Sequence, residues 1–262
     1  MQIVIIGSGN VASVLGRLCK QQGHEIVQVV SRNAAHAKLL ADELNCAYAD
    51  YTETLNHSAS LYILAVADTA LQELNKTISL GNKLIVHTAG SVSKDVLKDI
   101  SHNYGVLYPL QSLRKEMGYQ KEIPFLIDGN TTDTLTMVED FAGTLSTNVT
   151  KTTDDERLKL HVAAVVVSNF TNHLYAIAED FCKKENVDFK LLAPLITETA
   201  ERIQHFSPGA VQTGPAVRND IFTIDKHLRI LSNHPQLKDM YIKLTNSIMT
   251  SPPTPFPKGE GA

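Results

Sequence analysis

Six residues near the amino terminus constrain this chain more than any others. Gly7-Ser8-Gly9-Asn10-Val11-Ala12 follows directly on the β-branched run Ile3 to Ile6 and opens a helix-period pattern carried by Val11, Val14 and Leu15. In that setting Gly7 permits a tight turn, Gly9 lets a ligand come close to the backbone, and Ala12 lets the helix pack on the strand. The helix start offers unpaired N–H groups and the positive end of its dipole, which together suit a pyrophosphate. Gly7, Ser8, Gly9, Asn10, Val11 and Ala12 are therefore the expected contacts of a dinucleotide. A plain strand-to-helix turn is the alternative reading.

The rest of the first 150 residues repeats the theme. Short apolar runs at 26–30, 61–66, 84–87, 106–107, 125–127 and 148–150 read as further strands, with helix-period residues such as Leu39, Leu40 and Leu44 between them. Alternation of this kind predicts a parallel sheet with helices on both faces. At Thr153-Asp-Asp-Glu156 the pattern changes: a capping box starts a long helix, and neither glycine nor proline appears from 154 until Pro194. Segments near 189–205, 219–232 and 235–249 are also helical in period. The expected fold is an α/β Rossmann-like doubly wound sheet (1–152), then an all-α part (153–250), then an extended proline-rich tail (251–262).

The end of the second strand chooses between cofactors. A dinucleotide site for NAD places an acidic residue there for the ribose hydroxyls, about 20 residues past the glycines. This chain has Ser31-Arg32-Asn33 instead, a hydroxyl, a guanidinium and an amide suited to a 2′-phosphate, so NADP is the expected cofactor. A solvated surface arginine is the competing account of Arg32. Two more loops follow strand ends, where ligands of open sheets bind. Ala65, Val66, Ala67 and Thr88 are expected along the cofactor, and Ser91 against the substrate. His87 serves there either as an acid or base or as a hydrogen-bonded structural imidazole.

On the long helix, at about 100° per residue, His161, Ser168 and Asn172 share one side, with Asn169 and His173 beside them. An uncharged polar stripe differs from the Lys- and Glu-rich face that water favours, and reads either as a cleft wall or as a helix or subunit interface. Val162 to Val167, Phe170 and Leu174 give the same helix more apolar surface than one small domain covers, which predicts a homodimer, although the later helices could cover it within one chain. Thr213-Gly-Pro-Ala-Val-Arg-Asn-Asp220 makes a turn before a helix, with Arg218 as either a substrate-carboxylate ligand or a structural ion-pair residue.

Composition excludes other classes. The net charge is −4, and neither side of residue 153 is basic, with 12 Lys and Arg against 15 Asp and Glu before it and 12 against 13 after it, so a nucleic-acid surface is not expected. Three cysteines without a CxxC spacing predict no disulfide framework and no metal site. With no apolar leader or spanning run, the expected location is the cytoplasm, away from membranes.

These residues resemble a family of NADP oxidoreductases that join a Rossmann-like domain to an uncharacterised helical C-terminal domain. The family is kin to pyrroline-5-carboxylate reductase, deazaflavin-dependent NADP oxidoreductase and the 3-hydroxyacid and 6-phosphogluconate dehydrogenases. The resemblance rests on 7–12, His87-Thr-Ala-Gly-Ser91, Tyr108-Pro-Leu-Gln111, Ser168-Asn-Phe-Thr-Asn-His173 and Thr213-Gly-Pro-x-x-Arg-x-Asp220. It implies a two-domain dimer with NADP in the first domain and a small substrate in a cleft closed by the helices. Hydroxyacid dehydrogenases of this kin carry a proton-donating lysine four residues before an asparagine, whereas Val165 stands four residues before Asn169 here. Proton transfer must then come from His161, His173, His87 or Tyr108, with Asn169 also in the expected catalytic set and Tyr108, Gln111 and Asn172 against the substrate. The expected function is hydride transfer between nicotinamide and a small carbonyl or imine. The alternative is a non-catalytic NADP-binding redox sensor or partner-docking protein.

Overall fold

The computed structural model describes residues 1–74, 78–117 and 122–251; the expected tail lies, apart from its first residue, outside them. The chain divides into two compact units, the first ending at Ser168 and the second beginning at Asn169.

The first unit runs β1 (Gln2–Ile6), α1 (Asn10–Gln21), β2 (Glu25–Val30), α2 (Ala34–Leu44), β3 (Ala47–Ala49), β4 (Leu61–Leu64), α3 (Asp68–Leu74), β5 (Gly81–His87), β6 (Ser101–Pro109), β7 (Phe125–Gly129), α4 (Thr132–Leu145), β8 (Val149–Lys151) and α5 (Asp154–Ala164). The strands form one sheet in the order β3-β2-β1-β4-β5-β6-β7-β8. Ile3 to Ile6 and Leu61 to Leu64 are wholly buried. Strands covered on both faces need apolar residues at every position, which is why they read as unbroken runs. On one face Val14, Leu15, Leu40, Val138 and Phe141 pack from α1, α2 and α4. Tyr62, Leu71, Leu80 and Leu97 fill the other. Asn33 caps α2, Thr131 caps α4, and the Thr153–Glu156 box caps α5 as its spacing predicts.

Two features differ from expectation. Strand β3, Ala47-Tyr48-Ala49, has too little β-branched character to be seen in sequence and exists through its pairing with β2. The sheet is also not parallel throughout: β7 runs antiparallel to β6, and β8 is parallel to β7. Parallel neighbours need a crossover, normally a helix, and the described part of the Pro109–Phe125 connection contains none.

The long helix is continuous but not uniform. Val165–Phe170 winds as a π-helix between α5 and α6 (Thr171–Lys184). Its wider turns break the constant 100° phase that aligns His161 with Ser168 and Asn172 in the sequence reading. The expected boundary near 152 marks where helices take over, whereas compactness divides the chain later, after Ser168, because α5 is tied to the sheet.

In the second unit, α6 is followed by α7 (Ala193–His205), α8 (Ile221–Ile230) and α9 (Pro235–Thr250). Asp220 caps α8 by accepting the Thr223 N–H, and Asn219 before it takes the left-handed conformation. His234 bonds Glu185 at 2.7 Å, tying the start of α9 to the end of α6. Leu174, Pro215, Leu237, Met240 and Leu244 wall an apolar groove of about 230 Å³. No helix among the described residues is long and apolar enough to cross a membrane.

Candidate functional site

The glycine turn sits where β1, β2 and β4 end together. The Gly7 N–H donates to the Val30 carbonyl at 2.7 Å, and Ala65 N–H donates to Ile6 at 2.8 Å. Gly7 has φ +127°, and a Cβ there would lie 2.1 Å from the Ala65 oxygen. Gly9 is the N-cap of α1 and offers no side chain to its N–H groups. A Cβ on Gly9 would meet nothing within 4 Å, so the space above the helix start is open. Unpaired N–H groups facing open space suit an external anion, and a diphosphate fits the cradle. Ala12 is buried against the sheet. The Asn10 amide oxygen accepts the Lys115 N–H and stays within the fold.

Ser8 and Ser31 hydroxyls bond at 2.8 Å, which joins the glycine turn to the end of β2. Arg32 is exposed, and no carboxylate pairs with it among the described residues. An unpaired guanidinium at this spot suits the 2′-phosphate of NADP. Asn33 keeps only its NH₂ group for such a ligand, because its oxygen accepts from Ala35 and His36 at 2.9 and 3.2 Å. A cleft of about 230 Å³ lined by Val30, Tyr51 and Leu55 opens nearby.

The other half of the site lies past β5. His87 is fully buried, and its Nδ1 accepts the Ala89 N–H at 3.1 Å. Burial above all, with the Arg157 charge second, pushes its pKa down to about 4. His87 is thus a neutral ring that shapes the loop from beneath, out of a substrate's reach. Thr88 N–H and hydroxyl both donate to Leu64, and the Ser91 hydroxyl donates to Asp68, so the loops after β4 and β5 are laced together.

Above this lacing stands a tyrosine–histidine pair. Tyr108 Oη and His161 Nδ1 are 2.9 Å apart, their rings edge to face. Gly90 allows their approach: a Cβ there would come within 2.7 Å of His161 Nδ1 and 2.9 Å of the Tyr108 ring. Burial raises the Tyr108 phenol above its ordinary value, the Arg157 charge works against that, and Asp68 adds slightly to it. The group is an uncharged hydroxyl at neutral pH. Gln111 is exposed just beyond, and Ser112 bonds Ser168. Asn169, Asn172, His173 and Arg218 belong to the second unit, where the first three are exposed.

Sequence reasoning missed Arg157, Asp154 and the need for glycine at 90. Arg157 is only 1% exposed, yet in sequence it looks like any charged residue in the first turns of a helix. One signal was available: it precedes His161 by four residues and therefore shares its face.

A glycine turn on a helix N-terminus, a free guanidinium after β2 and a hydrogen-bonded pair between Tyr108 at the end of β6 and His161 of α5 fit a dinucleotide-binding protein of the oxidoreductase type. Residues 2–90 match the family described as NADP oxidoreductase coenzyme F420-dependent, and residues 123–248 match Domain of unknown function (DUF2520). A Bacteroides fragilis protein assigned to the NADP oxidoreductases is 39% identical over 95% of this chain and 98% of its own, with a TM-score of 0.89. The chain belongs to that family of NADP-dependent oxidoreductases, with a Rossmann-like domain followed by the DUF2520 region. In fold it is also similar to pyrroline-5-carboxylate reductase from Streptococcus pyogenes (16% identity, 96% and 99% of the chains, TM-score 0.61). An imine reductase from Myxococcus stipitatus in complex with NADP+ is comparable (16%, 95% and 92%, TM-score 0.61). No curated protein matches this chain.

Proposed function

We propose that this protein is an NADPH-dependent reductase of a small carbonyl or imine compound, acting in the cytoplasm. Bound nicotinamide supplies the hydride. The chain's own residues hold the cofactor and supply the proton: the 7–12 turn takes the diphosphate, Ser31 and Arg32 take the 2′-phosphate, and Ala65, Val66, Ala67 and Thr88 line its path. The observation that carries the reading is the Tyr108–His161 pair at 2.9 Å on the same sheet edge as the glycine turn. Tyr108 donates its proton to the substrate heteroatom, and His161, when protonated, restores it. This arrangement answers the missing lysine, since Val165 has no proton to give. Ser91 and Gln111, which follow the ends of β5 and β6, are the groups we assign to the substrate, and the polar groups of α6 and Arg218 are not needed for the proton step.

The test combines binding and turnover. Arg32→Ala is expected to weaken NADPH binding tenfold or more, about 1.4 kcal/mol, with NADH little changed, in a fluorescence titration of both. NADPH oxidation by the wild type against panels of keto acids, imines and deazaflavins then names the substrate class. Equal losses for both cofactors would remove Arg32 from the 2′-phosphate site. Tight NADPH binding with no oxidation by any panel member would favour the second reading, a non-catalytic NADP-binding protein, for which the absent lysine is the specific argument.

The partner we propose is a second copy of the chain. Val167, Phe170 and Leu191 are 71%, 59% and 78% exposed on the helical part, and Phe222 is 71% exposed. Apolar surface in water costs about 25 cal/mol per Å², and isologous pairing is the commonest way to cover it. Light scattering across dilutions is expected to give twice the 28.8 kDa chain mass. A mass of one chain at every concentration would refute the dimer.

A further inference from the structure

Arg157 is the largest fully buried side chain among the described residues, and it is a cation. Its Nη2 donates to the Val92 carbonyl at 2.5 Å and to Asp154 Oδ1 at 2.7 Å. Its Nε and Nη1 are buried without a hydrogen-bond partner, as is His87 Nε2. Asp154, its single ion-pair partner among the described residues, is shared: it also accepts from the Ser93 hydroxyl and the Lys94 N–H. Lys94 in turn pairs with Asp128. A guanidinium enclosed with two idle N–H groups is expensive, and an apolar side chain of similar size would pack there at less cost. The packing of the first unit does not account for it.

Its place suggests what does. Arg157 and His161 are one helical turn apart on α5, so the guanidinium lies below the ring that bonds Tyr108. The charged groups acting on Tyr108 are Arg157 from α5 and Asp68 from the start of α3; those acting on His87 are Arg157, Asp154 and Asp68. We infer that Arg157 is a positioning residue: it anchors the 91–94 loop through Val92 and Asp154, and its enclosed charge governs how readily the Tyr108–His161 pair gives up a proton. The proton-donor role rests on the reductase reading above, while the electrostatic coupling is measurable without cofactor or substrate.

The experiment is an NMR titration of the whole protein carrying ¹³C-labelled tyrosine, with Tyr108→Phe identifying one signal among eight tyrosines. Arg157→Met should raise the Tyr108 titration midpoint by about one unit or more. Asp154→Asn strips the guanidinium of its counter-charge and should lower the midpoint, and Arg157→Lys should leave it close to the wild type. Opposite shifts from the first two variants support the inference, because loosened packing would move both the same way. Midpoints that stay put, or that move together, overturn it. If Arg157→Met does not fold, Asp154→Asn and Arg157→Lys still decide the sign. The reductase reading fails separately, by a wild type that oxidises NADPH with no panel member.

Discussion

Alanine at position 7 is expected to lower NADPH affinity at least a hundredfold, about 2.7 kcal/mol, and to lower the melting temperature as well. Two effects combine at this residue. An L side chain at φ +127° is strained whatever surrounds it. The added Cβ would also stand 2.1 Å from the Ala65 oxygen, which belongs to a backbone segment bonded to Ile6 and unable to swing aside. The turn itself must yield, and the N–H groups it aims at the diphosphate yield with it. Fluorescence titration beside a circular-dichroism melt would check this. A folded Gly7→Ala protein with wild-type affinity would mean that the cofactor is not cradled here.

The second large effect is an acid lability centred on His87. Its folded-state pKa of about 4 lies below the ordinary 6.5, so between those values the unfolded chain takes up a proton that the folded chain refuses. Stability from this group is complete above about pH 6.5 and is lost as pH falls toward 4, by about 3 kcal/mol in all. His87→Asn keeps an acceptor for the Ala89 N–H and removes the titration. Thermal melts from neutral pH down to 4 are expected to fall more steeply for the wild type than for the variant. Parallel curves would show that the buried imidazole is not the source.

Much of this was readable from the chain alone. The glycine turn, the Ser31-Arg32-Asn33 segment and the Thr153 capping box are local devices, each set by a few adjacent residues, and each stands in the structure where its spacing predicts. Strand β3 and the reversed β7 were not readable, because pairing partners decide them and their own residues do not. The polar stripe misled for a related reason: periodicity assumes uniform winding, and the run Val165-Val166-Val167 opens a π-helical stretch that no hydrophobicity count registers. At His87 the sequence left two readings open, an acid or base and a hydrogen-bonded structural imidazole. Its complete burial and its bond from the Ala89 N–H favour the second.

The order of the strands also determines how His161 arrives. Lys151 at the end of β8 pairs with Ile127, which pairs with Leu107, so the chain leaves β8 level with the end of β5, where Val106 pairs with His87. Helix α5 therefore starts beside the loop that follows β5: Asp154 holds Ser93 and Lys94, Arg157 holds Val92, and His161 reaches Tyr108 about two turns after the cap. The helix behaves as a ruler, with its zero at Thr153 and its mark at His161. One residue added or removed between those points would turn that mark by about 100° and leave Tyr108 without its partner.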